Sequence, residues 1–381
     1  MMLSRFVLAA VLVVIVAFGG TTTFMYLSSK QTHVAAPPQK PTAATPRAQA
    51  TTLPGALYLT QSGAIYRLTA GRFHQITPEA GWSMPSLTPD GSQLLAVKYG
   101  QYWSDVYTLS LFGAPLRQIT FNQARTGMLD PSLNHWIFYP RVAADGVTLW
   151  MTYDGLKCDG CYDVSPAIYS MPYGGTIRQA RAWTDGGYYS GGDQQPIPTA
   201  GGAIYTKYDF GDKYDANAEH HISAMLWFTN RAGSYGRELT TPGEDCRTPS
   251  LSPAGDQVAM VCTYGKQVSY LTIASWNGSS LGPRTNILTS LLVAQPTWAP
   301  DGSGIAFFAP GVAAGPFQLW FLPREAYTPR PPSPPPTPTP GGPHNGPLPT
   351  PTPPPPIPQV QPIQLTTSNG FDATSPMAWL G

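Results

Sequence analysis

The sequence predicts an all-β fold: a six-bladed β-propeller closed by pairing of its N- and C-terminal segments, preceded by one transmembrane helix. Three observations carry that expectation. A proline-led motif recurs six times along the 381 residues. Between recurrences lie runs of apolar, β-branched and aromatic residues of strand length. Pro 43 and Gly 38 together make 81 of 381 residues, a composition of turns and spacers rather than long helices.

The first element is the anchor, residues 1–30. Phe6 to Leu27 carries no charged side chain, and a helix of that length spans about 33 Å, enough for a hydrocarbon core. Arg5 precedes the run and Lys30 follows it, so charge asymmetry is weak. A short stub before the span belongs in the cytoplasm and exports the body. The competing reading is a cleaved signal peptide with Phe6–Phe18 as its apolar core. Both place the rest of the chain outside the cytoplasm, so the expected location is the cell membrane, single-pass, with the propeller on the extracytoplasmic side. Residues 31–54, rich in Ala, Thr, Gln and Pro, form a flexible linker.

Residues 55–381 hold the repeat. Its motifs begin at Pro85, Pro140, Pro196, Pro249, Pro296 and Pro376, at intervals of 55, 56, 53, 47 and 80 residues. A period near 50 marks a propeller or solenoid. Each unit reads as four strands. A short strand leads into a Pro-Asp-Gly type turn, in which Asp caps its own backbone and Gly supplies positive φ. Apolar second strands follow at Gln93–Lys98, Thr148–Tyr153, Ala203–Tyr208, Gln257–Thr263 and Gly304–Ala309. Third strands carry aromatics, at Val106–Ser110, Ala167–Met171, Ala224–Thr229, Tyr270–Ser275 and Gln318–Leu322. The fourth often ends in Leu/Ile-Thr, as at Ile119-Thr120, Leu239-Thr240 and Leu365-Thr366. The long last interval contains a proline-rich insertion within the last blade, residues 328–362, with 18 prolines in 35 residues. That composition suits polyproline II or no fixed structure.

Residues 57–77 supply only three strands, Leu57–Thr60, Ala64–Thr69 and Arg72–Thr77. Their missing first strand is Pro376–Leu380, so one blade is built from both termini and the ring has no free edge.

The unit Pro296-Thr-Trp-Ala-Pro-Asp-Gly302 resembles the Pro-x-Trp-Ser-Pro-Asp-Gly core of the TolB-like six-bladed β-propellers. The units at Pro140, Pro196 and Pro249 depart from it at the Trp, Pro or Asp positions. The resemblance covers about residues 55–381 and implies a fold. Such propellers serve as partner-binding platforms and as companions of peptidase domains, so it implies no single function.

In a four-stranded meander the first-to-second and third-to-fourth turns share one face of the ring. The other face receives the second-to-third loops and the inter-blade connections. The first group is mostly tight, and the second is long and aromatic. Binding residues favour loops held on a rigid scaffold, so the candidate binding residues are Tyr99, Tyr102, Trp103, Tyr162, Tyr188, Tyr189, Tyr208 and Tyr214. The linker, the proline-rich insertion and the C-terminus all belong to the tight-turn face.

For metal chemistry, Asp209, Asp212, Asp215, Glu219, His220 and His221 concentrate carboxylate and imidazole groups in one loop. Their spacing matches no established metal loop, and a solvated acidic loop is the plainer reading. Cys158 and Cys161 suit a redox pair, half a zinc site or a short disulfide. Cys246 and Cys262 flank the turn at Ala254-Gly255 almost symmetrically, which places them opposite one another for a cross-strand disulfide. Asn277-Gly-Ser279 fits a glycosylation sequon but reads first as a tight turn. There is no Gly-x-Ser-x-Gly elbow and no His-Glu-x-x-His.

Lys+Arg 22 against Asp+Glu 21 leaves a net charge of +1, without the basic stripe that nucleic acid demands. The expected function is a non-catalytic binding or scaffold module needing no cofactor. Its partner would be a protein or a cell-wall polysaccharide, held by the aromatic loops. The rival expectation is a metal-assisted hydrolase with its site on the same loop face.

Overall fold

The short apolar runs, each stopped by a turn of Gly, Asp or Asn, form strands throughout, and the described residues contain no α-helix. The structure is a computed structural model. It describes residues 52–157, 166–186, 191–209, 222–234, 236–290, 292–328, 361–367 and 369–381. The expected anchor at 1–30, nearly all of the linker, and residues 329–360 of the insertion lie outside them.

The first blade holds β1 (Ala56–Gln61), β2 (Ala64–Thr69) and β3 (Arg72–Gln75). The second holds β4 (Trp82–Leu87), β5 (Leu94–Tyr99), β6 (Ser104–Leu109) and β7 (Pro115–Gln118). The third is β8 (Ile137–Val142), β9 (Thr148–Tyr153), β10 (Ala167–Pro172) and β11 (Arg181–Ala182). The fourth is β12 (Asp193–Thr199), β13 (Gly202–Asp209), β14 (Ser223–Thr229) and β15 (Arg237–Glu238). The fifth is β16 (Cys246–Leu251), β17 (Gln257–Cys262), β18 (Ser269–Ser275) and β19 (Thr285–Ser290). The sixth is β20 (Ala294–Trp298), β21 (Gly304–Pro310), β22 (Phe317–Pro323) and β23 (Ile363–Gln364), and β24 (Ala378–Leu380) ends the chain.

These strands make six four-stranded antiparallel sheets, one of them ordered β24-β1-β2-β3. Ring closure is therefore as the sequence predicts: Ala56 pairs with Leu380, Leu57 with Trp379 and Tyr58 with Ala378. The innermost strands β4, β8, β12, β16, β20 and β24 each touch the next, around to β4 again.

The recurring proline does not begin a strand. In five of the six units it sits inside the innermost strand at a β-bulge, where register slips between Ser83 and Ser86, Phe138 and Arg141, Gln194 and Ile197, Arg247 and Ser250, and Ala294 and Thr297, while Pro376 precedes β24. Proline lacks an N–H, and a bulge is where a strand gives up a ladder bond. The residue before each of the five bulge prolines is left-handed: Met84, Tyr139, Gln195, Thr248 and Gln295 have φ of 53°, 52°, 54°, 52° and 49°. Non-glycine residues resist that conformation at about 1–2 kcal/mol each. Its repetition in five blades makes the kink a property of the ring.

The Leu/Ile-Thr signal also acquires a cause. The fourth-strand ladder stops before the threonine, whose hydroxyl accepts a third-strand N–H instead. The pairs are Ile65 N to Thr77, Val106 N to Thr120, Ile168 N to Thr184, Leu226 N to Thr240 and Leu319 N to Thr366, at 2.8–3.0 Å. The fifth blade differs because Thr289 stays in the ladder, opposite Tyr270.

The core lies between blades. Side chains alternate across a strand, so each second strand feeds both neighbours: Val258 and Met260 pack with Ile204 and Phe228 of the fourth blade, Ala259 and Val261 with Ile305 and Phe307 of the sixth. Burial on both faces explains why second strands read as continuous apolar runs. Cys246 and Cys262 are register partners and form a disulfide across a Cα–Cα distance of 4.1 Å. The Asn277 side-chain oxygen accepts from Ser279 N and Ser280 N, so this segment is a tight turn as read.

Candidate functional site

The innermost strands ring a central axis, and side chains from the bulges meet across it. There the Gln195 amide donates to Gln295 Oε1 at 3.3 Å, and the Gln295 amide donates to the carbonyls of Ala373 and Thr374 at 3.2 Å. Tyr139 is buried at the same level, with its hydroxyl 3.5 Å from Gln194 Oε1 and from the Thr374 carbonyl. Burial raises its pKa, so it stays a neutral phenol.

Above this level, on the long-loop face, lies a cavity of about 430 Å³ lined among others by Gln194, Tyr208, Arg247, Thr263, Lys266 and Gln267. Asp245 organises the rim. Its carboxylate pairs with Arg247 at 3.0 Å and accepts from the Thr263 hydroxyl and from Ala224 N. Tyr208, a candidate from the sequence, lines this mouth; burial raises its pKa and Arg247 opposes the shift.

A second cavity, of about 360 Å³, holds Tyr99, Trp103, Asp105 and Phe121 of the second blade and its exit. Tyr99 and Trp103 are thus brought together. A Cβ on Gly100 would lie 2.3 Å from the Trp103 ring, so the loop closes onto its own indole only because that position is glycine. Tyr99 is half-buried, its hydroxyl on Met84 Sδ at 3.8 Å, with Trp136 and Phe138 stacked beside it. Asp105 forms the floor. It accepts from Asn122 N at 2.8 Å and from the Thr120 hydroxyl at 3.0 Å, yet burial still raises its pKa.

Phe121 lines this cavity, and the long connections of the second and third blades carry further exposed apolar side chains. Tyr102 is 36% exposed, Phe121 72%, Met128 53% and Leu129 89%. Leu133 and Leu156 on adjoining connections are also exposed. The long inter-blade segment before β8 is ordered by Asn134, which bonds Ala124 N and the Gly127 carbonyl at 2.8 and 2.9 Å, and by the Asp130 cap on Ser132 N. Tyr162, Tyr188, Tyr189 and Tyr214 lie outside the described residues.

The fold also joins two residues that lie far apart in the chain. His135 Nδ1 lies 3.0 Å from Asp154, a fully buried carboxylate that also accepts from Trp136 N and lies 3.7 Å from Lys157 Nζ. The contact fixes the orientation of the imidazole, as a carboxylate does for a general base. No hydroxyl or thiol hydrogen-bonds His135 Nε2 among the described residues. The pair spans 19 residues across two loops, a juxtaposition no local motif encodes. Asp193 and Lys207 form another buried pair, 3.2 Å apart; burial raises the Asp193 pKa and Lys207 offsets part of the rise.

Of the six metal-ligand candidates, Asp209 ends β13, and Asp212, Asp215, Glu219, His220 and His221 lie outside the described residues, as do Cys158 and Cys161. Among the described residues no three His, Cys, Asp or Glu side chains converge.

No protein-family profile and no curated protein matches the chain. Among solved structures, TolB from Acinetobacter baumannii aligns at 17% identity with a TM-score of 0.52, over 72% of this chain and 62% of that one. The aligned part thus spans less than two thirds of that protein. A putative TolB from Agrobacterium tumefaciens aligns at 13% identity and a TM-score of 0.48, over 85% and 93% of the two chains. A puromycin-hydrolysing peptidase from Mycobacterium tuberculosis aligns at 12% identity and 0.41, over 64% and 37%. The fold is that of the TolB-like six-bladed propellers.

Proposed function

We propose that this propeller is a non-catalytic docking module, held to the membrane by residues 6–27, that receives a protein partner on the long-loop face of its second and third blades. The observation that carries the reading is the exposure of Phe121, Met128, Leu129 and Tyr102 on the long connections of these two blades, Phe121 lining the Tyr99–Trp103 cavity. Exposed apolar side chains gathered on one face of a soluble domain mark interaction sites. Aliphatic Met128 and Leu129 suit a protein surface better than a sugar ring. The orientation is favourable: Pro54 and Gly381 border the β1–β24 pairing on the tight-turn face, opposite these loops.

A cell-wall glycan is the second reading, favoured by the flat rings of Tyr102 and Trp103. The rival hydrolase would draw on His135–Asp154 or on the acidic loop after Asp209.

The test is capture from envelope extract by the full chain and by a Phe121→Ser/Leu129→Ser variant. The proposal expects a partner retained by the first and lost by the second. Equal capture by both would refute the surface. Quenching of tryptophan fluorescence by cell-wall glycan, lost in Trp103→Ala, would replace the protein partner with a sugar.

A further inference from the structure

At the other end of the axis, on the tight-turn face, lies a cavity of about 420 Å³ unrelated to the docking surface above. Its wall comes from the halves of the innermost strands that follow the bulges. The residue after each recurring proline stands at the same level of the ring: Ser86, Arg141, Ile197, Ser250, Thr297 and Met377. Five are neutral. Arg141 is the only ionisable side chain among all the residues lining the cavity.

Arg141 has no compensation. Its backbone is fixed in β8 opposite Trp150. Its guanidinium makes no ion pair and no hydrogen bond among the described residues, where the five ion pairs involve other groups. Burial alone lowers its pKa, to about 10, so it remains cationic at neutral pH. Arg141 is half-buried, and its guanidinium reaches the cavity rather than being sealed in the core; a guanidinium fork so placed pairs well with a carboxylate, often through two parallel N–H bonds. No carboxylate lines the cavity beside it.

The rest of the wall defines what fits. The Ser250 hydroxyl is without a hydrogen-bond partner among the described residues and borders the same space. Trp298, Trp379, Ile197 and Met377 supply an apolar flank, and the Trp298 indole is held by its N–H bond to the Ser250 carbonyl at 3.0 Å. One fork of donors, one free hydroxyl and an apolar wall match a monoanion with a short hydrocarbon tail. A dianion would lack a second cation, and a cation would be repelled.

We propose that the cavity on the tight-turn face is a carboxylate-binding site, in which Arg141 receives the carboxylate and Trp298 and Trp379 pack against its apolar tail. Two sources share this chemistry, a free short-chain acid and the C-terminal carboxylate of a peptide.

The full chain in detergent is titrated with sodium propionate, against sodium chloride at equal ionic strength, reading tryptophan fluorescence and melting temperature. Wild type should show a saturable fluorescence change and a rising melting temperature with propionate but not with chloride, since a ligand of the native state stabilises it. Arg141→Gln should keep the unliganded melting temperature within a few degrees of wild type and should lose the propionate response. A response of equal size in the variant, or none in wild type, overturns the site. If the variant fails to fold, modification of wild-type Arg141 by phenylglyoxal decides instead. Protection by propionate supports the site, and modification unaffected by saturating propionate overturns it. An N-acetylated tripeptide, as free acid and as amide, separates the sources. Competition by the acid alone admits chain ends, and propionate binding without peptide competition restricts the site to small acids.

Discussion

Removing the chain after Gly370 deletes the strand that closes the ring, and the structure allows the loss to be sized. Phe371 and Met377 are 4% and 2% exposed, packed with Leu57, Leu59 and Phe308 between the sixth and first blades. Burying a large apolar side chain is worth about 1.5–3 kcal/mol, so these two account for about 3–6 kcal/mol. Ser375 is fully buried, bonded to the Thr60 hydroxyl at 2.8 Å and to Met84 N at 2.9 Å. Each such bond adds about 1 kcal/mol net. The sum approaches the whole stability of an ordinary domain, about 5–15 kcal/mol. The truncated chain should therefore lose its cooperative melt, or melt far below the full chain in urea and on heating. Deleting residues 331–358 should shift the melt little, because lengthening or shortening a long loop changes closure entropy by about 0.6 kcal/mol per doubling. A truncated chain that melts like the intact one would show that β24 does not close the ring.

Thr240→Val leaves Leu226 N–H without its acceptor and should destabilise by about 1–3 kcal/mol, whereas Thr289→Val in the fifth blade, outside that pattern, should be near neutral; equal urea midpoints for the two would discard the capping role. Opening the Cys246–Cys262 bridge, which joins residues 16 apart, by replacing both with Ala should lower stability by about 3 kcal/mol in urea under non-reducing conditions, and an unchanged midpoint would remove the bridge as a stabilising element. Asp90, bonded by Thr88 and Ser92, has its pKa lowered to about 2. Because its folded pKa lies below the unfolded one, its contribution is present above about pH 4 and disappears as pH falls through about 2. A carboxyl NMR titration with an ordinary midpoint would contradict the turn geometry. Asp193 has the opposite sign. Its raised pKa makes its charge a burden that grows as pH rises past the unfolded value, so Asp193→Asn should flatten the pH dependence of the melt in that range, and an unaltered profile would contradict the direction of the shift.

The blades were legible because propeller strands pack on both sides: Leu94–Val97 and Val258–Val261 read as unbroken apolar runs since each sends alternate side chains into a different neighbour. The closing strand was legible by counting, since residues 57–77 leave one strand short. The cysteine pairing followed from symmetry about a turn. The bulges were not legible. Proline marks their position, but the left-handed backbone at Met84, Tyr139, Gln195, Thr248 and Gln295 is a conformation that no local preference of these residue types dictates. Site residues were legible only where a loop kept its own chemistry together, as at Tyr99–Trp103. His135 with Asp154, and Arg141 amid neutral cavity residues, depend on how separate strands are brought side by side.

The placement of the two chain ends makes the ring mechanically unequal. A force entering at Pro54 reaches β1, which is hydrogen-bonded on one side to β2 over six residue pairs and on the other to β24 over three. Pulling there must shear both ladders together. A force applied at Gly381 meets only the three pairs of β24, and can peel them one at a time. Load entering before Ala56 would thus fall on the more strongly held strand of the seam, and β24 is the strand that would first come away under tension.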